Sequence, residues 1–154
     1  MKTFVITEAA GPVLAREVHS GCLLCGERNP RSLRLRFRDE GDGVAAAKLH
    51  PGRGLQGYDG ILHGGVIAAL LDEAMAHCLF QRGVRALTGE LRVRYVRRVV
   101  SDATIGLRAR VLSSKAGLFR LRAELVQQER VAAWAEAKFL REPALKASSV
   151  HTQG

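Results

Sequence analysis

The chain has 154 residues, 47% hydrophobic and 25% charged, a length and composition that suit one globular domain with a real core. No apolar run is long enough to span a bilayer, and the apolar stretch within residues 1–8 is too short for a signal peptide, so the expected location is cytoplasmic. The net charge of +9 and pI of about 10.3 point toward an anionic partner, but the arginines do not form one basic block. In residues 33–38, 91–95 and 119–122 they alternate with apolar residues, which places them on the outer faces of half-buried strands. Aromatics are few and no nucleic-acid motif is present, so neither nucleic acid nor membrane is expected as a partner. An anionic small ligand, such as a phosphorylated cofactor, stays open.

Residues 1–18 are weakly patterned and read as a short helix or strand packed as an extension. Next comes Cys22-x-x-Cys25, with His19 three residues before it. This is half of a zinc ligand set. No second cysteine pair follows, because Cys78 falls in a predicted helix, so His50 or His77 would have to complete the set. The reading adopted is a loop of reduced thiols, with no metal and no cofactor. Residues 33–38 alternate as a strand, residues 39–43 form a turn cluster, and residues 44–50 return as a second strand. The run Pro51-Gly-Arg-Gly54 breaks regular structure, and residues 55–63 lead as a loop into a helix over 64–80. Four strand-like runs follow at 86–98, 103–113, 117–127 and 130–141, with turns at 113–117 and 127–129. The tail from Pro143 is polar and expected to be disordered. This order predicts an α+β fold, an antiparallel sheet wrapped around one long helix. The chain divides into an N-terminal extension with the Cys loop (1–32), the main domain (33–142) and the tail (143–154).

The helix start carries the chemistry. Gly64 and Gly65 follow His63, so free backbone N–H groups and the positive end of the helix dipole are open to close approach. Ile67, Leu70, Leu71, Ala74 and Cys78 make one apolar stripe. Asp72 lies off the centre of that stripe, about two turns along, among the small residues Gly65, Ala68, Ala69 and Ala76. A partly solvated acid there has a raised pKa and greater basicity. The bland alternative makes Asp72 and Glu73 surface residues of an amphipathic helix, and Glu73 is expected to matter much less than Asp72. His77, alone on the helix, is expected to be packed rather than to serve as a ligand.

The stretch Gly57-Tyr-Asp-Gly-Ile-Leu-His-Gly-Gly-Val-Ile-Ala-Ala-Leu-Leu-Asp-Glu-Ala-Met75 resembles the signature of hotdog-fold acyl-CoA thioesterases, and the phenylacetate-degradation (PaaI-like) branch in particular. Residues 87–97 resemble that branch's central strand, and Cys22-x-x-Cys-Gly-x-x-Asn-Pro30 resembles the N-terminal segment of one hotdog subgroup. The resemblance implies hydrolysis of a small or medium acyl-CoA, with CoA as part of the substrate. Asp72 matches the catalytic acid, as general base or nucleophile, and the Gly64 N–H matches the oxyanion hole. Gly65 supports the turn, His63 shapes the loop, and Thr88 matches a hydroxyl that orients water or the carboxylate. The family often has Asn six residues before the histidine. Gly57 stands there in this chain, with Gln56 beside it as the candidate replacement. Arg97 and Arg98 are candidates for the CoA phosphates. The resemblance also implies a homodimer or homotetramer with sites built between subunits. The rival readings are a non-catalytic acyl-CoA-binding hotdog protein and a nucleic-acid-binding module.

Overall fold

The computed structural model describes residues 10–142, so the expected disordered tail lies outside the described residues. Within them the chain forms helix α1 (Ala10–Val18), strands β1 (Arg38–Asp39) and β2 (Ala45–Leu49), helix α2 (Gly64–Phe80), and strands β3 (Ala86–Tyr95), β4 (Ile105–Lys115), β5 (Leu118–Gln127) and β6 (Arg130–Arg141). All strands join one antiparallel sheet in the order β1-β2-β4-β5-β6-β3. The predicted helix and the last four strands are present.

Helix α2 is apolar on nearly every side, and the sheet curls around it. Ten residues from Ile67 to Phe80 are buried. Alanine is a poor strand former, yet Ala109, Ala123, Ala133, Ala135 and Ala137 all sit buried in the sheet. Their short side chains make a trough in which a helix can lie close to the strand backbones. The register aligns this trough, with Ala109 opposite Ala123 and Ala123 opposite Ala135. The outer face carries the alternating arginines. Arg92 and Arg122 both reach Glu136, Arg108 reaches Glu40, and Lys138 reaches Glu90. Arg122 also lies 4.3 Å over the Trp134 ring. The outer sheet is a solvated, ion-paired surface, as the alternation predicts.

Two expectations are corrected. Residues 33–38 do not form a strand, and only Arg38–Asp39 enters the ladder. Arg34 has a positive φ of 54°, and the Leu33 and Leu35 N–H groups bond instead to the carbonyls of Leu23 and Leu24. The alternation there reflects packing against the Cys loop rather than sheet pairing. The third strand stops at Tyr95, not at 98, because the N–H groups of Val96 and Arg97 converge on one carbonyl, that of Ala132. The chain then turns to brace the loop before α2. Leu62 N–H bonds to Val99 O, Ser101 N–H bonds to Gly60 O, and the buried Gln127 amide bonds both backbone groups of Val100 at 2.9 Å. This bracing fixes where α2 begins.

Leu71 is fully buried at the contact between α2 and the sheet. Leu71→Ala is expected to cost about 2–5 kcal/mol in urea unfolding at fixed protein concentration. Leu112→Ala, at an exposed site, should stay within about 0.5 kcal/mol. A Leu71→Ala loss below about 1 kcal/mol would mean that the sheet does not enclose the helix tightly.

Candidate active site

His63 caps α2. Its backbone is extended (φ −60°, ψ 132°), and its Nδ1 accepts the Gly65 N–H at 2.8 Å. A Cβ on Gly65 would lie only 3.1 Å from that nitrogen, so glycine keeps room for the cap. Gly57 packs against the same histidine, where a Cβ would meet it at 3.4 Å. Gln56 braces the loop from within, because its Oε1 accepts the Gly60 N–H at 3.0 Å and its backbone pairs with Leu62. Its amide oxygen is therefore engaged in the loop rather than aimed at Asp72.

Gly64 is the first residue of the helix. Its carbonyl accepts the Tyr95 hydroxyl at 2.7 Å. Its N–H has no acceptor among the described residues. A Cβ at Gly64 would meet the Tyr95 ring at 3.6 Å, an ordinary contact, so packing within the protomer does not require glycine here.

Asp72 is half-buried and accepts a hydrogen bond from Thr88 Oγ1 at 2.7 Å. Burial raises its carboxyl above the usual range, the Thr88 bond pulls it back down, and the neighbouring Glu73 charge adds to the rise. Thr88 can face the helix because of an irregularity in β3. The register shifts between Thr88 and Glu90, so Thr88 pairs with Phe139 while Leu91, Val93 and Tyr95 pair with Ala137, Ala135 and Ala133. Those four partners are buried. The bulge at Gly89 thus keeps Thr88 and Tyr95 on the helix face of one strand. Both site contacts of β3 depend on it.

Several sequence expectations meet here and others do not. The structure joins Asp72 to Thr88, and His63 to Gly64 and Gly65. Arg97 and Arg98 are exposed just past the end of β3, two and three residues beyond Tyr95, with no acidic partner among the described residues. Tyr95 was legible only as a strand residue, since its bond to Gly64 spans 31 positions. Glu73 is not a surface residue. It is buried on the closed side of the helix, in contact with His19 and His77. Burial pushes its carboxyl up, but the hydrogen bonds with His19 and His77 more than offset this and hold it well below the usual range. No described helix is long and apolar enough to cross a membrane.

The profile of the Thioesterase superfamily matches residues 59–133, from the loop before α2 into the first residues of β6. A yeast protein from Saccharomyces cerevisiae, MIOREX complex component 3, is 34% identical over 103 residues. That match takes in 65% of this chain but only 38% of the yeast protein, so the chain spans well under half of that relative. The E. coli PaaI protein from the phenylacetic acid degradation operon superposes with a TM-score of 0.66 at 21% identity, over 71% of this chain and 84% of PaaI. A hypothetical thioesterase from Streptococcus pneumoniae, solved with coenzyme A, superposes with a TM-score of 0.65 at 16% identity, over 70% of this chain and 87% of that one. The profile match runs through the capped glycine turn, Asp72 and Thr88, and the sheet is wrapped on one helix as in those structures: the chain has the hotdog fold and, over residues 59–133, matches the thioesterase superfamily.

Proposed function

We propose that the protein is a PaaI-like acyl-CoA thioesterase whose active site is built from two copies of the chain. The observation that carries this reading is the spacing of Gly64 and Asp72 on one helix. Eight residues at the helical rise separate them by about 12 Å. A carbonyl held by the Gly64 N–H and water activated by Asp72 must meet within about 3 Å. One protomer therefore cannot bring both to the same thioester. A second copy related by a two-fold axis sets one protomer's Gly64 opposite the other's Asp72.

The open surface fits that arrangement. Strand β3 is a ten-residue sheet edge, and Leu87, Tyr95 and Val96 are exposed in and beside it. An uncovered edge of this length is a liability unless it pairs. Gly65 is exposed beside the half-buried Ala68 and Ala69, so a partner can come close to the helix start. Packing within the protomer gives no reason for glycine at position 64. Room for a carbonyl oxygen to approach its free N–H gives one.

In this reading the oxyanion forms against the Gly64 N–H and the positive end of α2. Asp72 takes the proton from water, whose oxygen bonds to the thioester carbon as the C–S bond breaks, and the proton passes to the departing CoA thiolate. Alternatively Asp72 attacks that carbon directly, CoA leaves as the thiolate, and water then cleaves the acyl–Asp72 anhydride to free acid and carboxylate. Thr88 positions the Asp72 carboxylate. Arg97 and Arg98, exposed and without an acidic partner among the described residues, bind the CoA phosphates. The Streptococcus pneumoniae structure, solved with coenzyme A, supports a CoA thioester as the substrate class.

Subunit mixing tests the shared site. Gly64→Pro deletes the N–H at a position where proline suits a helix, and the extended His63 tolerates a following proline. Alone, Gly64→Pro and Asp72→Asn should each lower turnover at least about 100-fold, with circular dichroism unchanged and, for Asp72→Asn, CoA binding retained. Refolded together, half the dimers carry one intact site, so activity should recover to about a quarter of wild type. Failure of the mixture to recover would refute the two-subunit site, and a fully active Asp72→Asn would refute the chemistry.

The acid limb of the pH–rate profile reports Asp72, which must be ionised to act as a base. Activity should rise with pH through a value above the ordinary aspartate range. Thr88→Val removes the bond that stabilises the carboxylate, so this limb should move to higher pH. An unmoved limb would assign it to another group. Arg97→Gln or Arg98→Gln should raise KM for acyl-CoA more than it lowers kcat, and should weaken the dependence on ionic strength.

A further inference from the structure

The side of α2 away from Asp72 carries a second cluster that thioester hydrolysis does not use. Glu73 and His77 stand one turn apart, and both are buried. The loop after α1 brings His19 and Cys25 against them. His19 Nδ1 lies 3.4 Å from Glu73 Oε1, His77 Nε2 lies 3.2 Å from the same oxygen, and Cys25 Sγ lies 3.7 Å from His19 Nδ1. The four ligand atoms all fall within 4.8 Å of one another.

These separations have a simple geometric meaning. Four ligands around zinc at bond lengths of about 2.0–2.3 Å form a tetrahedron with edges of about 3.3–3.7 Å. The three named contacts, at 3.2, 3.4 and 3.7 Å, fall within about 0.1 Å of that range. Hydrogen bonding accounts for them less well. His19 Nδ1 carries at most one proton, yet it faces both a carboxylate oxygen and a sulfur. Both imidazoles also converge on a single oxygen of Glu73. A shared cation satisfies all of these atoms together. A thiolate and a carboxylate balance a divalent charge, so the buried site ends neutral. Imidazole, thiolate and carboxylate in a closed set of four favour zinc among the common divalent ions.

The surrounding structure holds the ligands in place. Gly26 closes the Cys loop, and a Cβ there would fall 2.5 Å from Cys22 N and 2.6 Å from the carbonyl oxygens of Cys22 and Ser20. His77 stacks on Phe37 at 4.5 Å, and His19 meets the Phe80 edge at 4.8 Å, so neighbouring rings fix the imidazoles. A cleft of about 340 Å³ lined by His19, Cys25, Phe37 and His77 gives an ion a way in. Cys22 stands outside the set of four. Its sulfur reaches Glu73 Oε1 at 3.6 Å and accepts the Leu24 N–H at 3.3 Å.

We infer that His19, Cys25, Glu73 and His77 form a zinc site that staples the N-terminal segment to the buried side of α2. On binding, the Cys25 sulfur bonds to zinc and its proton leaves to solvent, while Glu73 and the two neutral imidazoles supply the other three bonds. With four protein ligands the site leaves no open position for substrate, so its role is structural.

The test uses the full chain with Zn²⁺ alone. Protein unfolded with chelator, refolded with zinc and dialysed should retain about one zinc per chain by elemental analysis. Its melting temperature should fall on chelation and recover when Zn²⁺ is returned. Cobalt-loaded protein should show tetrahedral d–d bands and a sulfur-to-cobalt charge-transfer band, the latter absent in Cys25→Ser. His19→Ala, at the partly exposed ligand, should weaken zinc binding at least about tenfold while leaving the sheet signal in circular dichroism intact. Folded wild-type protein with less than about 0.1 zinc per chain would overturn the site. So would zinc binding unaffected by both substitutions. Neither readout depends on thioesterase activity.

Discussion

Enclosure of α2 is the constraint on which the rest of the structure depends. A helix apolar on nearly all sides and wrapped by a sheet leaves little solvent for a charged group. Two adjacent carboxylates nevertheless lie near its middle. Neighbours on a helix point about 100° apart, so Asp72 and Glu73 face different surroundings. Asp72 turns toward the open edge at β3, keeps partial exposure and accepts one hydroxyl bond. Glu73 turns toward the N-terminal segment and meets two imidazoles. Burial acts on both, but its outcome is opposite: the Asp72 carboxyl is held up and the Glu73 carboxyl is held down. A raised acid at an open edge suits proton transfer, and a carboxylate enclosed with two imidazoles and a thiol suits binding a cation.

The sheet serves the site through small residues and one irregularity. The alanine trough sets how close α2 lies to the strands, and so how far Thr88 and Tyr95 must reach. Without the bulge at Gly89, the alternation that turns Leu91, Val93 and Tyr95 toward the helix would turn Thr88 away from it. The 2.7 Å contacts from Thr88 to Asp72 and from Tyr95 to Gly64 both come from this edge strand. A strand with no neighbour on its outer side among the described residues thus holds both ends of the helix stretch that carries the candidate site.

How far the sequence could be read follows from the range of the forces involved. Helix α2 was legible because its apolar spacing and glycine start are local signals. The turns at 116–117 and 128–129 were legible as breaks between apolar runs, although Gln128 and Glu129 both take positive φ without being glycine. The alternation at 33–38 misled because period-two burial needs only two unlike sides, and the Cys loop supplies one of them without a ladder. The burial of Glu73 was not legible for the same kind of reason. Nothing local shows that a segment some 50 residues earlier covers that side of the helix. The cysteine motif signalled half of a ligand set, but two members of the other half, Glu73 and His77, sit on the helix already read for catalysis. His50, the other histidine considered for completing it, pairs with Asp102 at the surface.

The two sides of α2 are coupled by rotation. A helix in an apolar trough has little of its own to fix its angle about the axis, because leucine and alanine pack acceptably in several orientations. A turn of one residue position would place Glu73 at the open edge and carry Asp72 to the direction of Leu71, into the buried contact with the sheet. Polar contacts at both ends oppose this. At the start, the His63 cap and the Tyr95 hydroxyl bond fix Gly64. Further along, Glu73 and His77 meet His19 in a geometry that no neighbouring residue could reproduce. Directional bonds of this kind select one register even where their net contribution to stability is small. The N-terminal segment therefore bears on the proposed site from the opposite side of the helix. By holding Glu73 on the closed side, it keeps Asp72 turned toward Thr88 and the open edge of the sheet.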